Sequence, residues 1–253
     1  MPYSAAQHST GTYRYLPAIP PYSSGVAAEP GHEIVGLRFE APPPVAEGFA
    51  RLDEVCAARG LAPAALVGFE LRSPAPFAFG AFDEFNEVYR ALLDERGLLE
   101  DGVNPIARTN VVPVLSAPSE PVLLSAFVVR EASGPGGTDF VVAGGGELDG
   151  PLDPARITAR GDTSPTGLTR KAVHVVEEMR RRLAGLGHSP WSPTLVDVYT
   201  EHEIPGLADL LLDRLPAVRQ YGFVRWVTCP PLVEIEFEMD LRRVSGWEVL
   251  PAH

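Results

Sequence analysis

Ala132-Ser133-Gly134-Pro135-Gly136-Gly137-Thr138 lies near the middle of the 253-residue chain and is its strongest punctuation. Glycines and a proline between two apolar runs read as a linker, because they leave the backbone without a preferred element. Its central position invites a comparison of the two halves of the chain. Before the linker, residues 34–39 form a short apolar strand. Residues 46–59 carry Phe49, Leu52, Val55 and Cys56 at helical spacing, with Gly60 as C-terminal cap. Residues 65–71 read as a strand. Residues 82–93 read as a helix with Phe82, Phe85, Val88, Tyr89 and Leu92 on one face. Strands rich in branched residues follow at 108–115 and 122–129. After the linker, strand 140–143 stops at Gly144-Gly145-Gly146, and Ser164 with Pro165 opens a helix running to about residue 183. A strand at 195–200, a short helix at 207–215, and strands at 224–228 and 232–241 complete the chain. The order strand–helix–strand–helix–strand–strand thus occurs twice. It predicts two tandem α+β domains, 21–131 and 139–245, joined by the linker 132–138. Residues 1–20 are left as an N-terminal extension, surface-lying or laid on a neighbour, and 246–253 as a C-terminal tail.

Composition sets the class of partner. Hydrophobic residues make up 45% and charged residues 21%, enough to bury a core and too apolar for a disordered chain. The net charge of −12 repels phosphate backbones and anionic lipid, so neither nucleic acid nor membrane is expected as a partner. Arg180, Arg181 and Arg182 cluster, but Glu177 and Glu178 precede them, which reads as a solvated helix face with ion pairs. No apolar run approaches the ~18 residues of a membrane span. Residues 1–25 have neither the basic start nor the apolar stretch of a secretory signal. Cys56 and Cys229 are too few for a disulfide framework. A reduced, cytoplasmic protein acting on a small molecule is the expectation.

Candidate chemistry concentrates in residues 232–241. Val233, Ile235, Phe237, Met239 and Leu241 alternate with Glu234, Glu236, Glu238 and Asp240, so a strand would turn all four carboxylates to one face. Such a row repels itself unless solvent or cations lie opposite. The plain account for Glu236, Glu238 and Asp240 is therefore a solvated sheet face. A strand-borne glutamate beside an arginine in a cleft is also a general base. Arg108 begins a strand just after a turn, where its guanidinium can fork onto a carboxylate or sit in a surface ion pair. His174 and His202 have no second His or Cys at ligand spacing, so no metal is expected. Cys229, before Pro230-Pro231, reads as packing, and Arg160-Gly161-Asp162 as chance. Gly144-Gly145-Gly146 lacks the Lys-Ser/Thr of a phosphate loop and reads as a turn or a close backbone approach.

Four segments, in order along the chain, resemble the RidA/YjgF family of small trimeric proteins. Pro21-Tyr22-Ser23-Ser24-Gly25-Val26 is similar to the family's P-Y-S-x-G-V, and Phe85-Asn86-Glu87-Val88-Tyr89 to its V-N-x-x-Y helix. Ala107-Arg108-Thr109-Asn110-Val111 looks like its A-R-[ST]-x-V strand, and Leu232-Val233-Glu234-Ile235-Glu236 like its final V-E-I-E strand. The resemblance implies two RidA-like (chorismate-mutase-like) domains, each a mixed sheet with two helices packed on one face. It also implies hydrolysis of 2-imino acids to 2-keto acids and ammonia. Arg108 is then the carboxylate-binding residue, Glu234 the residue that activates water, and Tyr22 and Asn86 line the pocket. The plain readings remain a buried aromatic for Tyr22 and a helix brace for Asn86.

The departures are specific. The second half has Gly222 where the arginine belongs, and the first half has Leu123 where the glutamate belongs. The family's sites lie between subunits, so the resemblance implies a composite site: Arg108 from the first half facing Glu234, Gly144 and Gly145 from the second. That site would deaminate a carboxylate-bearing imine or enamine without metal or organic cofactor. Two other readings stay open: a binder of small molecules without catalysis, and a different reaction on a carboxylated ring. Closure of the family's ring implies a trimer of two-domain chains.

Overall fold

A computed structural model describes residues 3–150 and 152–252; Met1, Pro2, Pro151 and His253, three of them in the expected extension and tail, lie outside the described residues. The chain opens with strands β1 (Ala6–Gln7), β2 (Tyr13–Tyr15), β3 (Gly25–Ala28) and β4 (Pro30–Phe39). Helix α1 (Val45–Ala58), β5 (Leu66–Arg72), α2 (Phe79–Asp94), β6 (Ala107–Pro113) and β7 (Val122–Gly136) follow. Then come β8 (Phe140–Gly146), α3 (Pro165–Gly185), β9 (Leu195–Tyr199), α4 (Leu207–Arg214) and α5 (Val218–Tyr221). Strands β10 (Val224–Trp226), β11 (Thr228–Cys229), β12 (Glu238–Arg243) and β13 (Gly246–Leu250) end the described chain.

Local signals account for most of these elements. Ser164 caps α3 by accepting from Gly167 N at 3.2 Å, and Pro165 fills the first helical position, where a missing N–H costs nothing. In α1, Phe49, Leu52 and Cys56 form the buried stripe read from their spacing.

The strands assemble into two mixed sheets, β1-β2-β3-β8-β12-β9-β10 and β11-β6-β5-β7-β4-β13. Three apolar layers hold them. Phe49, Leu52, Tyr89 and Leu93 of α1 and α2 cover the six-stranded sheet. Val175, Val176, Met179 and Leu211 of α3 and α4 cover the seven-stranded one. Between the sheets lie Val26, Ile34, Val67, Ala107, Phe127, Val141 and Ala143. Strands buried on both faces read as continuous apolar runs, which is why Phe140-Val141-Val142-Ala143 has no polar alternation.

This architecture corrects the expectation of two tandem RidA-like domains: it is one mixed α+β arrangement whose two multi-strand sheets each draw strands from both halves. β3 pairs with β8, β11 pairs with β6, and β13 runs parallel to β4 from Gly246↔Val35 to Leu250↔Phe39. The expected linker 132–138 is mostly strand, since β7 continues to Gly136 opposite Pro30. Gly136 is required there: its φ is +58°, and a Cβ would strike the backbone of His32. The expected extension contributes β1 and β2 to a sheet, with Tyr13, Tyr15 and Leu16 buried. The expected tail covers the edge of β4, where the Trp247 ring fills the space a Gly36 side chain would need.

The last carboxylate-rich strand is also shorter than its alternation predicts. β12 starts at Glu238, and Glu234 sits in a turn with φ +68°. Leu232 and Ile235 leave the strand line and pack with Phe82 and Ile157. From residue 237 on the alternation holds. Phe237, Met239 and Leu241 join the layer under α3 and α4, while Glu238 and Asp240 are buried and not on a solvated face.

Candidate active site

A cavity of about 580 Å³ opens where the ends of β6, β8 and β12 meet the side of α3. Its walls include Tyr22, Arg108, Gly144, Arg182, Ile235 and Glu238. Arg108, Arg182 and Glu238 thus reach it from three elements in distant parts of the chain.

Arg108 comes from β6 and is buried. Its Nη2 donates to Asn86 Oδ1 at 2.8 Å, so α2 orients the guanidinium. The guanidinium carbon stands 4.7 Å from the ring centroids of both Tyr22 and Tyr89. Burial pulls its pKa down, while Tyr89, Tyr22 and Glu238 act in the opposite sense. Among the described residues no carboxylate forms an ion pair with it, and its Nη1 is buried without a hydrogen-bond partner. Asn110, on the same face of β6, accepts from Ser73 Oγ at 3.0 Å and leaves its own Nδ2 unpaired. Two unsatisfied buried donors on cavity-lining residues suit an anionic ligand group.

Glu238 opens β12 and is buried. Burial first, and then Asp240, push its pKa up to about 8 against the pull of Arg182 and Arg108. Gly144 of β8 lies against it so closely that a Cβ there would collide with Glu238 Oε1. Gly144 N donates to Thr109 Oγ1 at 3.1 Å, and that hydroxyl donates to Asp240 Oδ2 at 2.7 Å. The glycine run thus lets two sheets approach around one carboxyl. Arg182 projects from α3 with Nε on Glu178 Oε1 at 3.0 Å and Nη1 on Ala143 O at 3.1 Å.

Of the residues singled out in the sequence, Tyr22, Arg108, Gly144 and Gly145 line this cavity. Asn86 stands behind Arg108. Glu234 does not belong here. It is exposed, it holds Arg160 in an ion pair (Arg160 Nη2 to Glu234 Oε1, 3.2 Å), and it borders a separate shallow groove. The expected Arg108–Glu234 pairing is therefore not formed; the β12 carboxyl that shares the cavity with Arg108 is Glu238. The alternation of 232–241 contained the signal, since Glu238 shares its face with Glu234, but nothing local said which end of that row is buried. Arg182 also departs from the expected solvated helix face. Its helical ion pair with Glu178 exists, yet the guanidinium reaches the cavity as well.

The fold and the site together define a mixed α+β protein with a half-open pocket whose lining includes Arg108, Arg182 and Glu238, a carboxyl of raised pKa. Over residues 5–247 the chain matches the profile of the family described as 2-aminomuconate deaminase CnbZ. It is 40% identical over 241 residues to a 2-amino-5-chloromuconate deaminase of Comamonas testosteroni, covering 94% of this chain and 96% of that one. The chain belongs to the CnbZ family. The RidA/YjgF resemblance is thereby corrected: its motifs are short, whereas the family match spans nearly the whole sequence. The expectation of a deaminase stands at the level of the family.

Solved structures similar to the chain include a chorismatase, 14% identical, covering 96% of this chain and 80% of that one at a TM-score of 0.48. A cyanuric acid hydrolase from A. caulinodans is 13% identical, covering 87% and 69% at a TM-score of 0.42. No described helix is long and apolar enough to cross a membrane.

Proposed function

We propose that this protein hydrolyses the C–N bond of a 2-aminomuconate-type compound, an unsaturated dicarboxylate carrying its amino group beside one carboxylate. The observation that carries this reading is Glu238, a buried carboxyl held at a pKa of about 8 in a cavity shared with Arg108 and Arg182. The family's description and the activity of the Comamonas testosteroni relative support it.

Arg108 binds the carboxylate next to the amino group through its free Nη1, and Arg182 receives the distal carboxylate. Glu238 enters protonated. It gives its proton to the enamine carbon as the nitrogen lone pair moves into the C–N bond, which leaves an iminium and a Glu238 carboxylate. The carboxylate then takes a proton from the water that attacks the iminium carbon. Glu238 passes that proton to nitrogen; as the carbinolamine collapses, the C–N bond breaks and the hydroxyl proton returns to Glu238. One water is consumed, and one ammonia and one 2-oxo product leave. A carboxyl with a pKa near the working pH suits both halves of this exchange.

Glu238→Gln keeps the shape and removes the proton exchange. Its turnover of 2-aminomuconate, followed by ammonia release, is expected to fall by about 10²–10⁴-fold with folding intact. Undiminished turnover in a folded Glu238→Gln protein would refute the mechanism.

A further inference from the structure

Among the described residues, four buried polar atoms on Arg108 and its neighbours have no hydrogen-bond partner: Arg108 Nη1, Asn86 Nδ2, Tyr89 OH and Asn110 Nδ2. Asn86 and Tyr89 stand behind the guanidinium on α2, whereas Arg108 and Asn110, each only 3% exposed, line the cavity. One residue separates these two on β6, so their side chains leave the same face of the strand, about 7 Å apart by its rise. Asparagine is a poor strand former, and an unpaired buried amide costs about 1–3 kcal/mol. Packing alone gives no reason for one at this place.

Its orientation is set from the neighbouring strand. Leu71 of β5 is the register partner of Asn110, and Ser73 follows just past the end of β5. Ser73 is fully buried; its N donates to Val111 O at 3.0 Å, and its Oγ donates to Asn110 Oδ1, also at 3.0 Å. The amide oxygen is thereby occupied, and what Asn110 has left to offer is its NH₂ edge, a donor only. On Arg108, Nη2 is engaged by Asn86 Oδ1 and Nη1 is not engaged. A carboxylate accepts on two oxygens, and two fixed donors side by side match it. A carboxamide in the same place would turn its own NH₂ against one of them.

We propose that Asn110, oriented by Ser73, is a specificity-determining residue that holds the second oxygen of the substrate carboxylate bound by Arg108. The assignment rests on the deaminase reading above and adds to it the residue that selects a carboxylate at the amino-bearing end of the substrate. The amide is ordered before the substrate arrives, which lowers the cost of binding.

The test measures calorimetric binding of cis,cis-muconate, a dicarboxylate without the amino group, to the full-length protein, beside ammonia release from 2-aminomuconate. Asn110→Leu removes the donor at similar volume. Asn110→Asp keeps the shape and the acceptor for Ser73 but offers no donor. Each is expected to weaken muconate binding about tenfold or more, the size of a hydrogen bond to a charged group. Each is also expected to raise KM for 2-aminomuconate with kcat little changed, because the contact is the same in the ground and transition states. A packing role would instead let the isosteric aspartate keep wild-type affinity. If the leucine variant lacks a cooperative urea transition, the aspartate variant carries the comparison. A crystal structure of the wild-type protein with muconate needs no variant: a carboxylate oxygen is expected about 2.7–3.2 Å from Asn110 Nδ2. Wild-type affinity in the aspartate variant, a bound carboxylate that leaves Asn110 Nδ2 unpaired, or absence of saturable muconate binding to the wild type would each overturn the proposal. Failure of the deaminase reading looks different: the wild type would bind muconate through Asn110 yet release no ammonia from 2-aminomuconate.

Discussion

At Gly144 a single hydrogen faces Glu238 Oε1, and any side chain would strike that carboxyl and crowd Thr109. Gly144→Ala is accordingly expected to cost about 1–3 kcal/mol, as overpacking does, and, on the proposed mechanism, to cut turnover more than stability because it displaces the carboxyl that exchanges the proton. Urea unfolding beside ammonia-release rates separates the two effects. Glu238 itself sets a pH signature. Its carboxyl is raised from 4.5 to about 8, so the folded protein keeps a proton that the unfolded chain has already lost. Stability from this group is complete below about pH 4.5 and declines as pH rises through about 8. Turnover is expected to fall over the upper end of the same window, where the acid form disappears. Glu238→Gln is expected to lose that limb of the stability profile and to gain relative to wild type at about pH 9. Denaturation at about pH 6 and about pH 9 checks it; an identical pH dependence in both proteins would contradict the assignment. At this scale Arg108 was legible as a strand-end guanidinium suited to a carboxylate. Glu238 was visible as one of four alternating acids but not distinguishable from them, because burial is not a property of neighbours in sequence.

Among the elements, the segment between β11 and β12 departs furthest from its sequence pattern. Residues 232–241 alternate well enough for one long strand, yet 232–237 turn away. The cause lies on other elements: Glu147, just past β8, accepts from Glu236 N at 2.7 Å and from Phe237 N at 3.1 Å. Glu147 in turn holds Lys171 Nζ of α3 at 2.9 Å, both side chains fully buried. Burial raises the Glu147 pKa, with Lys171 pulling it down, so removing the ammonium leaves a buried carboxylate without its counter-charge. Lys171→Met is expected to destabilise the fold by about 3–5 kcal/mol, and Lys171→Met with Glu147→Gln by clearly less. Chemical denaturation of both variants checks the order. Helices α1, α2 and α3 were legible because an apolar stripe every three or four residues is a local pattern; this turn was not, because its hydrogen-bond acceptor lies about ninety residues away.

In the molecule as a whole, neither half owns a sheet. β13 closes the edge of β4, and its Trp247 ring packs edge-on against Phe127, 5.5 Å between centroids, with the Arg38 guanidinium 4.6 Å above it. Residues 1–138 and 139–253 expressed separately are therefore expected to lack a cooperative unfolding transition, whereas two separable domains would each show one. Calorimetry of the two fragments decides between them. The amino-acid order alone determined the elements with strong local periodicity and the acidic net charge, and it offered Arg108 as an anion-binding candidate. Each of these depends on residues a few positions apart or on composition. Tertiary structure alone decided which strands share a sheet, that the glycine-rich middle continues β7, and that Glu238 and not Glu234 shares the cavity with Arg108. Those outcomes depend on contacts between distant segments, where the cost of burying a charge or an unpaired N–H is set by whatever the fold brings opposite it.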